Sequence, residues 1–209
     1  MKTQRTYYQL IVDRSGSMSD CVNATIDGFN EQLLRIRSME AEFPEQDICV
    51  GVTLFDHRID HIKIGAPVTE IVKLNRENYV PDGTTALLDA IGITTGILEE
   101  REAGMSTLPS TFVVVVLTDG HENSSQIFNL EQIRSRIIRL EATGKWTFSF
   151  IGATLDALDV AAQMAFKRQN SIQFAKESMK TEVWDKLSGS MRGYFTKKKS
   201  GGNPPNLFD

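Results

Sequence analysis

The sequence FVVVVLTDG, residues 112–120, contains the most hydrophobic run of the chain and ends in an aspartate and a glycine. Its apolar part is rich in β-branched residues, which predicts a strand covered on both faces at the centre of a parallel sheet. A second apolar run, YYQLIV at residues 7–12, is followed directly by Asp13. Because neighbouring parallel strands end at the same edge of a sheet, the sequence predicts that Asp13 and Asp119 lie close together at that edge.

Segments with strand and helix patterns alternate along the rest of the chain. Further strands are predicted at residues 48–55, 59–64, 146–151 and 171–174, and helices at residues 24–39, 85–100, 130–142, 155–166 and 177–194. The short link between the second and third predicted strands indicates a hairpin, and so an antiparallel edge. The pattern predicts the α/β fold class: a doubly wound, mostly parallel sheet of about six strands with one antiparallel edge strand, helices on both faces, and the strand order of a dinucleotide-binding fold.

Composition places the chain among soluble globular proteins. Its 209 residues are 41% hydrophobic and 24% charged, and the net charge is −4, so the overall charge does not favour a nucleic acid or an anionic membrane as partner. The first residues lack the apolar segment of a signal peptide, and no stretch reaches membrane-spanning length. Cys21 and Cys49 form no C-x-x-C pair, which is typical of a reducing compartment. We therefore expect one cytoplasmic domain over residues 1–196, monomeric outside its complexes, followed by a flexible C-terminal tail over residues 197–209.

Three polar motifs follow predicted strands or begin a predicted helix. The first, DRSGS at residues 13–17, offers one carboxylate and two hydroxyls, and these hard oxygen donors suit Mg²⁺, Mn²⁺ or Ca²⁺ rather than zinc or copper. The second is Asp119-Gly120, and the third is GTTALLD at residues 83–89. Taken singly, each motif also fits an ordinary turn or helix cap. They become informative together, because the predicted sheet brings the first two to one edge.

The order, spacing and strand context of these motifs resemble the von Willebrand factor A domain over residues 7–194. The family signature is a metal-ion-dependent adhesion site (MIDAS): D-x-S-x-S after an apolar strand, a later threonine in a G-x-T-x-L-x-D-A context, and T-D-G after a second apolar strand. Thr84 competes for the threonine position, and Thr85 is preferred because it directly precedes Ala-Leu-Leu-Asp-Ala. The resemblance implies a site for one divalent cation, Mg²⁺ or else Mn²⁺ or Ca²⁺, formed by Asp13, Ser15, Ser17, Thr85 and Asp119.

The resemblance also implies how such a site works. The hydroxyls of Ser15 and Ser17 bind the ion directly, Thr85 binds it directly or through water, and the two aspartates supply charge and hold water or the ion. Two carboxylates leave the site near neutral, so a carboxylate from outside can complete the ion's shell. The expected partner is a protein that presents an acidic side chain, not a nucleic acid or a membrane. The expected contact rim consists of Gly16, Met18, Thr84, Gly120, His121 and Glu122, where Met18 also fits a core residue.

The segments TDGHENSS at residues 118–125 and FIGA at 150–153, with the pair Asp156-Ala157, resemble small stand-alone intracellular members from bacteria and their phages. Two other functions fit the residues: a Mg²⁺-dependent phosphoryl-transfer enzyme, and a scaffold with an idle metal site. An aspartate nucleophile would need D-x-D, whereas Ser15 stands at that position after Asp13. The sequence also lacks a phosphate loop and a G-x-S-x-G motif. We therefore predict a binding module and not an enzyme.

Overall fold

The computed structural model describes residues 2–105, 108–119, 121–153, 156–175, 182–202 and 204–208. Its strands are β1 (Gln4–Asp13), β2 (Gln46–Phe55), β3 (Ile59–Pro67), β4 (Ser110–Thr118), β5 (Trp146–Gly152) and β6 (Ser171–Gln173). Within these residues they form a six-stranded sheet of order β3-β2-β1-β4-β5-β6. Neighbours pair in parallel except β2 with β3, which are antiparallel. The predicted doubly wound sheet, its strand order and its antiparallel edge are confirmed.

Five α-helices in the described residues cover the two faces of the sheet. One face carries α1 (Val22–Glu42) and α5 (Trp184–Lys199), and the other carries α2 (Leu87–Met105), α3 (Leu130–Ala142) and α4 (Ala157–Gln163). Successive strand residues point to opposite faces, so β1 gives Leu10 to the first layer and Ile11 to the second. Burial on both faces explains why β1 and β4 are almost continuously apolar. None of the helices described is both long and apolar enough to cross a membrane.

Boundaries differ from the sequence prediction mainly at the ends of helices. α1 extends beyond the predicted residues 24–39 at both ends, and α2 begins at Leu87 rather than at residue 85. α4 ends at Gln163, earlier than predicted, and Ala165 nearby has φ 69°, a conformation that a helix does not contain. α5 is described from Trp184, so the predicted helix start at residue 177 lies outside the described residues.

The segment predicted as a flexible tail, residues 197–209, makes defined contacts. α5 continues through Lys199, and Lys198 within it is buried. Beyond the helix, Leu207 is buried, and its backbone N–H donates to Asn170 Oδ1 at 2.9 Å. Residues 197–199 therefore belong to α5, while the domain boundary at residue 196 and the flexibility of the tail stay predictions.

The two edges of the sheet are irregular or short. β3 pairs with β2 through two register shifts, one between Val50 and Val52 and one between Val52 and Thr53. Asp60 and Lys63 on β3 are exposed. At the opposite edge, β6 has only three residues.

Candidate metal centre

The candidate site begins where β1 and β4 end side by side. The strand order reverses between these two strands, and such a switch point is where open α/β sheets bind ligands. Val12 pairs with Leu117 in the parallel register, so Asp13 and Thr118 follow together at the carboxyl edge. The hydroxyl of Thr118 donates to Asp13 Oδ2 at 2.5 Å, and Asp119 comes one residue later. The structure thus brings the two aspartate segments together at this edge.

Asp13 is a fully buried anchor for the first loop. Its Oδ1 accepts a hydrogen bond of 2.6 Å from the backbone N–H of Ser15, and its carbonyl accepts one of 2.7 Å from the hydroxyl of Tyr79. Burial raises the pKa of Asp13 to about 6, although the hydrogen bonds from Thr118 and Ser15 act in the opposite direction. A bound cation would favour the ionised carboxylate. Asp13 therefore fixes the turn at Ser15 and supplies negative charge to the loop.

Three oxygen atoms from two loops converge beside Asp13. Ser17 Oγ lies 3.1 Å from Ser15 Oγ and donates to Asp119 Oδ1 at 2.7 Å. In an octahedral shell with oxygens about 2.1 Å from a Mg²⁺ ion, adjacent oxygens are about 3 Å apart. The two distances from Ser17 Oγ are close to this separation of adjacent ligands. Ser15 and Asp119 are buried whereas Ser17 is exposed, so the cluster opens to solvent on one side.

A hydrogen bond joins the loop of the third motif to the first loop. The N–H of Gly16 donates to the carbonyl of Gly83 at 3.1 Å, two residues before Thr85. Thr85 is buried and Thr84 is exposed. The N–H of Thr85 donates to Asn123 Oδ1 at 2.8 Å, and its carbonyl accepts from the N–H of Asn123 at 3.1 Å. Asn123 thus fixes the backbone of Thr85, a role that the sequence did not reveal.

Two carboxylates organise the loop that follows Asp119. Glu122 accepts a hydrogen bond of 2.9 Å from the N–H of Leu88 at the start of α2. Glu122 was predicted to lie on the contact rim, but its carboxylate faces the helix start, where the helix dipole favours a negative charge. The other carboxylate, Asp89 in the first turn of α2, accepts bonds of 2.7–3.0 Å from three consecutive N–H groups, those of Gln126, Ile127 and Phe128. In the sequence, the only signal for this role of Asp89 was its place at the end of the third motif.

The remaining residues of the predicted rim divide into exposed and buried positions. Gly16, Thr84 and His121 are exposed, and His121 Nε2 lies 3.5 Å from Asp156 Oδ1. Met18 is fully buried in the core layer of α1 and α5, so its assignment to the rim is wrong and its alternative as a core residue is correct. It lies in a short 3₁₀ helix, Gly16–Cys21, which turns it inward. Gly120 lies outside the described residues.

A buried ion pair supports the other side of the first loop. Arg14 Nε donates to Asp56 Oδ2 at 2.9 Å, and the same guanidinium also bonds Asp60. The carbonyl of Arg14 accepts from the N–H of Asp82 at 2.9 Å. The bonds to Asp56 and Asp60 hold the first loop against the hairpin of β2 and β3. Arg14 was not predicted to have a role, although a charged residue inside a loop of small polar residues was an available signal.

The donor set distinguishes the candidate centre from a structural zinc site of Cys and His ligands. In the part of the chain that the structure describes, no three His, Cys, Asp or Glu side chains group as metal ligands. The candidate centre instead combines two carboxylates with hydroxyl oxygens. Oxygen donors of this kind suit Mg²⁺ and Ca²⁺, whereas structural zinc sites use Cys and His. The residues present therefore fit a hard divalent ion.

Solved structures with a similar fold come from several organisms. VWA2, the ArnB paralog of Sulfolobus acidocaldarius, has a TM-score of 0.55 and 15% identity over 89% of this chain and 46% of that one. The vWF domain of the type V pili tip protein Mfa5 from Porphyromonas gingivalis has a TM-score of 0.59 and 9% identity, over 92% and 96% of the two chains. Proximal thread matrix protein 1 (PTMP1) of the mussel byssus, with a zinc-occupied MIDAS motif, has a TM-score of 0.55 and 14% identity, over 94% and 46%. This chain spans less than half of the first and third of these proteins.

The sequence itself matches no family model and no curated protein. At identities of 9–15%, the likeness to the solved structures is one of fold. It extends over about nine-tenths of the chain in each of the three comparisons. Together with the six-stranded sheet and its single antiparallel edge, these comparisons show that the chain has the fold of a von Willebrand factor A domain.

Proposed function

We propose that this domain is a metal-dependent protein-binding module that holds one divalent cation at the carboxyl edge of its sheet. The observation that carries the proposal is the convergence of Ser15 Oγ, Ser17 Oγ and Asp119 Oδ1, with spacings of 3.1 and 2.7 Å. These spacings fit a shell of oxygen ligands around a small hard ion. The zinc-occupied MIDAS motif of mussel PTMP1 supports a divalent site on this fold.

The residues of the site have different roles. Ser15, Ser17 and Asp119 hold the ion, and Thr85 binds it directly or through water. Asp13 supplies charge and fixes the loop through its bond to the N–H of Ser15. The ion is Mg²⁺, or else Mn²⁺ or Ca²⁺, because every donor is an oxygen. When bound, the ion supplies a position for one more oxygen ligand, and the two carboxylates balance its charge, so an acidic side chain of a partner meets no net negative charge.

A binding role suits the site better than phosphoryl transfer does. Both carboxylate oxygens of Asp13 accept hydrogen bonds, Oδ1 from the N–H of Ser15 and Oδ2 from the hydroxyl of Thr118. A nucleophile needs an oxygen that can reach the substrate, and these bonds hold both oxygens within the protein. The pilus and byssus proteins among the similar structures are also consistent with a non-enzymatic role.

We further propose that the module acts as a monomer in the cytoplasm, as a small stand-alone protein of bacterial or phage type. The thiol of Cys21 is buried and that of Cys49 is half-buried, and neither forms a disulfide. Free thiols of this kind are typical of a reducing compartment. The loop sequence TDGHENSS, which resembles the small intracellular members, supports the same assignment.

Calorimetric titration of Mn²⁺ and Mg²⁺ into the purified chain tests the metal site. Wild type is expected to bind one ion, and Asp119→Asn is expected to lose measurable binding because a neutral amide replaces a charged ligand. The matched control is Asp156→Asn, which removes an exposed carboxylate at the same edge. Its affinity is expected to stay within roughly twofold of wild type, since exposed charges interact weakly. Equal binding by wild type and Asp119→Asn would contradict the assignment of the site.

The open ligand position has its own test. With Mn²⁺ bound, the water-proton relaxation rate reports water molecules on the ion. Acetate is expected to lower this relaxation rate, because its carboxylate displaces a water molecule from the ion. Chloride at the same ionic strength is expected to leave the rate unchanged. If acetate and chloride act alike, the ion does not accept a carboxylate, and the proposed mode of partner binding is wrong.

A further inference from the structure

A cleft of about 270 Å³ opens beside the candidate metal centre, on the α2–α4 face of the sheet. Leu88 of α2, Leu130 of α3, and Val160 and Met164 at α4 form its apolar wall. His121 lies at the mouth, two residues after Asp119. The cleft is thus an apolar depression that continues the edge where the candidate ion ligands lie.

Only one residue separates Asp119 of the candidate centre from His121 of the cleft. Consecutive Cα atoms are about 3.8 Å apart, so the Cα atoms of Asp119 and His121 are at most about 7.6 Å apart. An extended segment advances about 3.3 Å per residue. A bound segment whose acidic residue reaches the metal centre therefore places the side chain two or three residues away at the cleft.

The size and chemistry of the cleft fit one large apolar side chain. An apolar cavity of about 150 Å³ is enough to bind benzene, so 270 Å³ admits a single leucine, methionine or phenylalanine side chain. The apolar surface also extends outside the cleft, because Leu130 is 39% exposed and Ile127, three residues earlier, is 63% exposed.

The acidic residue at the cleft does not oppose an acidic partner strongly. The carboxylate of Glu122 accepts hydrogen bonds from the N–H groups of Leu88, Ser124 and Ser125 at 2.7–2.9 Å. Backbone donors at a helix start offset a negative charge. The cleft therefore combines an apolar wall with a carboxylate that is already bound by the protein.

We propose that the cleft binds a large apolar side chain of the same partner segment whose carboxylate reaches the metal centre. The partner is thus a protein segment with Asp or Glu two or three residues from Leu, Ile, Met or Phe. This inference rests on the proposed function and adds a second determinant to it. Burial of one such side chain is expected to strengthen binding roughly tenfold to a hundredfold.

Selection from a random-peptide phage library tests the proposal. Phage are bound to the wild-type domain in Mg²⁺ and eluted with EDTA, and the selected peptides are synthesised and titrated by fluorescence anisotropy. The expected peptides share an acidic residue and a large apolar residue at the stated spacing. Replacing that apolar residue by alanine is expected to weaken binding at least tenfold.

Variants of the domain separate the cleft from the metal centre. Gln163 is an exposed residue that lines the cleft, so Gln163→Trp is expected to fill the cleft and to weaken the peptide at least tenfold while Mn²⁺ binding is unchanged. Leu130→Ser, which removes part of the wall, should act in the same direction. Ile138→Ser is the matched control, because Ile138 is 51% exposed on the same helix and does not line the cleft.

The possible outcomes distinguish this inference from the function on which it rests. EDTA-eluted peptides with a shared acidic residue but no apolar preference would overturn the cleft proposal and support the metal centre. Full affinity of both Gln163→Trp and Leu130→Ser for the selected peptides would also overturn the cleft proposal and support the metal centre. A selection that yields no EDTA-sensitive peptide would overturn both proposals. Weakening by Ile138→Ser equal to that by Leu130→Ser would show that the loss is not specific to the cleft, and would overturn it as well.

Discussion

Replacing Lys198 by methionine tests how strongly one buried amine affects the stability of the domain. Lys198 is 2% exposed, and its Nζ donates to the hydroxyls of Thr6 at 2.9 Å and Thr111 at 2.7 Å. The ring of Tyr194 lies 5.8 Å from the same atom. Desolvation by burial lowers the pKa of Lys198 from 10.5 to about 8. The folded protein therefore holds a charged amine at neutral pH in an environment that disfavours the charge.

The direction and size of the pH effect follow from the two pKa values. Between pH 8 and 10.5 the unfolded chain binds more protons than the folded chain, so this lysine makes the free energy of unfolding rise with pH. Its unfavourable contribution is about 3 kcal/mol at pH 7 and about 2 kcal/mol at pH 9. The stability of wild type relative to Lys198→Met is therefore expected to increase by about 1 kcal/mol from pH 7 to pH 9.

Urea unfolding of both proteins at pH 7, 8 and 9 measures this difference. Methionine keeps an unbranched apolar side chain, and the hydroxyls of Thr6 and Thr111 lie 3.2 Å apart, so each retains a partner when the amine is absent. Other groups that titrate in this range, such as Cys49, whose pKa burial raises, are common to both proteins and cancel. Lys199→Met, at the exposed next residue, is the control and should follow wild type.

Parallel pH profiles of unfolding free energy for wild type and Lys198→Met would contradict this prediction. If wild type and Lys198→Met keep a constant difference in unfolding free energy from pH 7 to pH 9, the amine of Lys198 is not desolvated in the way its burial indicates. If the stability of wild type relative to Lys198→Met decreases with rising pH, the pH effect has the opposite sign to the one predicted, which contradicts the prediction more directly.

Three further predictions concern the loop, the core and the ion. Asp89→Ala is expected to lower the free energy of unfolding by about 2–3 kcal/mol, because three backbone donors lose a charged acceptor; urea unfolding should show it, and a loss below the measurement error would contradict it. Gly28→Ala is expected to cost about 1–3 kcal/mol in the same assay, since its Cβ would lie 1.9 Å from Trp184 Cδ1 and this overlap outweighs the gain in helix propensity; unchanged stability would contradict it. Thermal melts in EDTA should remain cooperative, and Mg²⁺ at about a hundred times its Kd should add only about 2.7 kcal/mol; complete unfolding in EDTA would disprove this.

The sequence was sufficient for the fold because the strands of this sheet carry strong signals. β1 and β4 are buried on both faces, so their apolar runs are nearly unbroken, and their place at the switch point follows from the alternation of strands and helices. α3 was predicted with its observed bounds, with Gly144 as the signal for its end, and the structure adds a capping box of Asn129 and Gln132 at its start. Local chemistry and tertiary packing agree at these positions.

The side-chain directions at the site could not be predicted in the same way. Asp13 follows a strand and reads as a surface-loop residue, yet it is fully buried beneath the loop that it anchors. Glu122 bonds Leu88, which is distant in sequence, so no local pattern reveals that it caps α2. Met18 lies between polar residues, and only the 3₁₀ turn that carries it decides that it points inward. In each case a contact between separate segments determines the direction.

The irregular pairing of β3 and the brevity of β6 bear on what happens when many copies of the domain are crowded together. A long flat edge strand offers a row of backbone donors and acceptors on which another chain can add, and repeated addition produces cross-β fibres. Here the register shifts twist β3, a new strand would have to desolvate Asp60 and Lys63, and three residues of β6 offer too few bonds to hold one. We therefore expect concentrated solutions of the domain to resist fibril growth, so that copies arrayed side by side remain separate folded units.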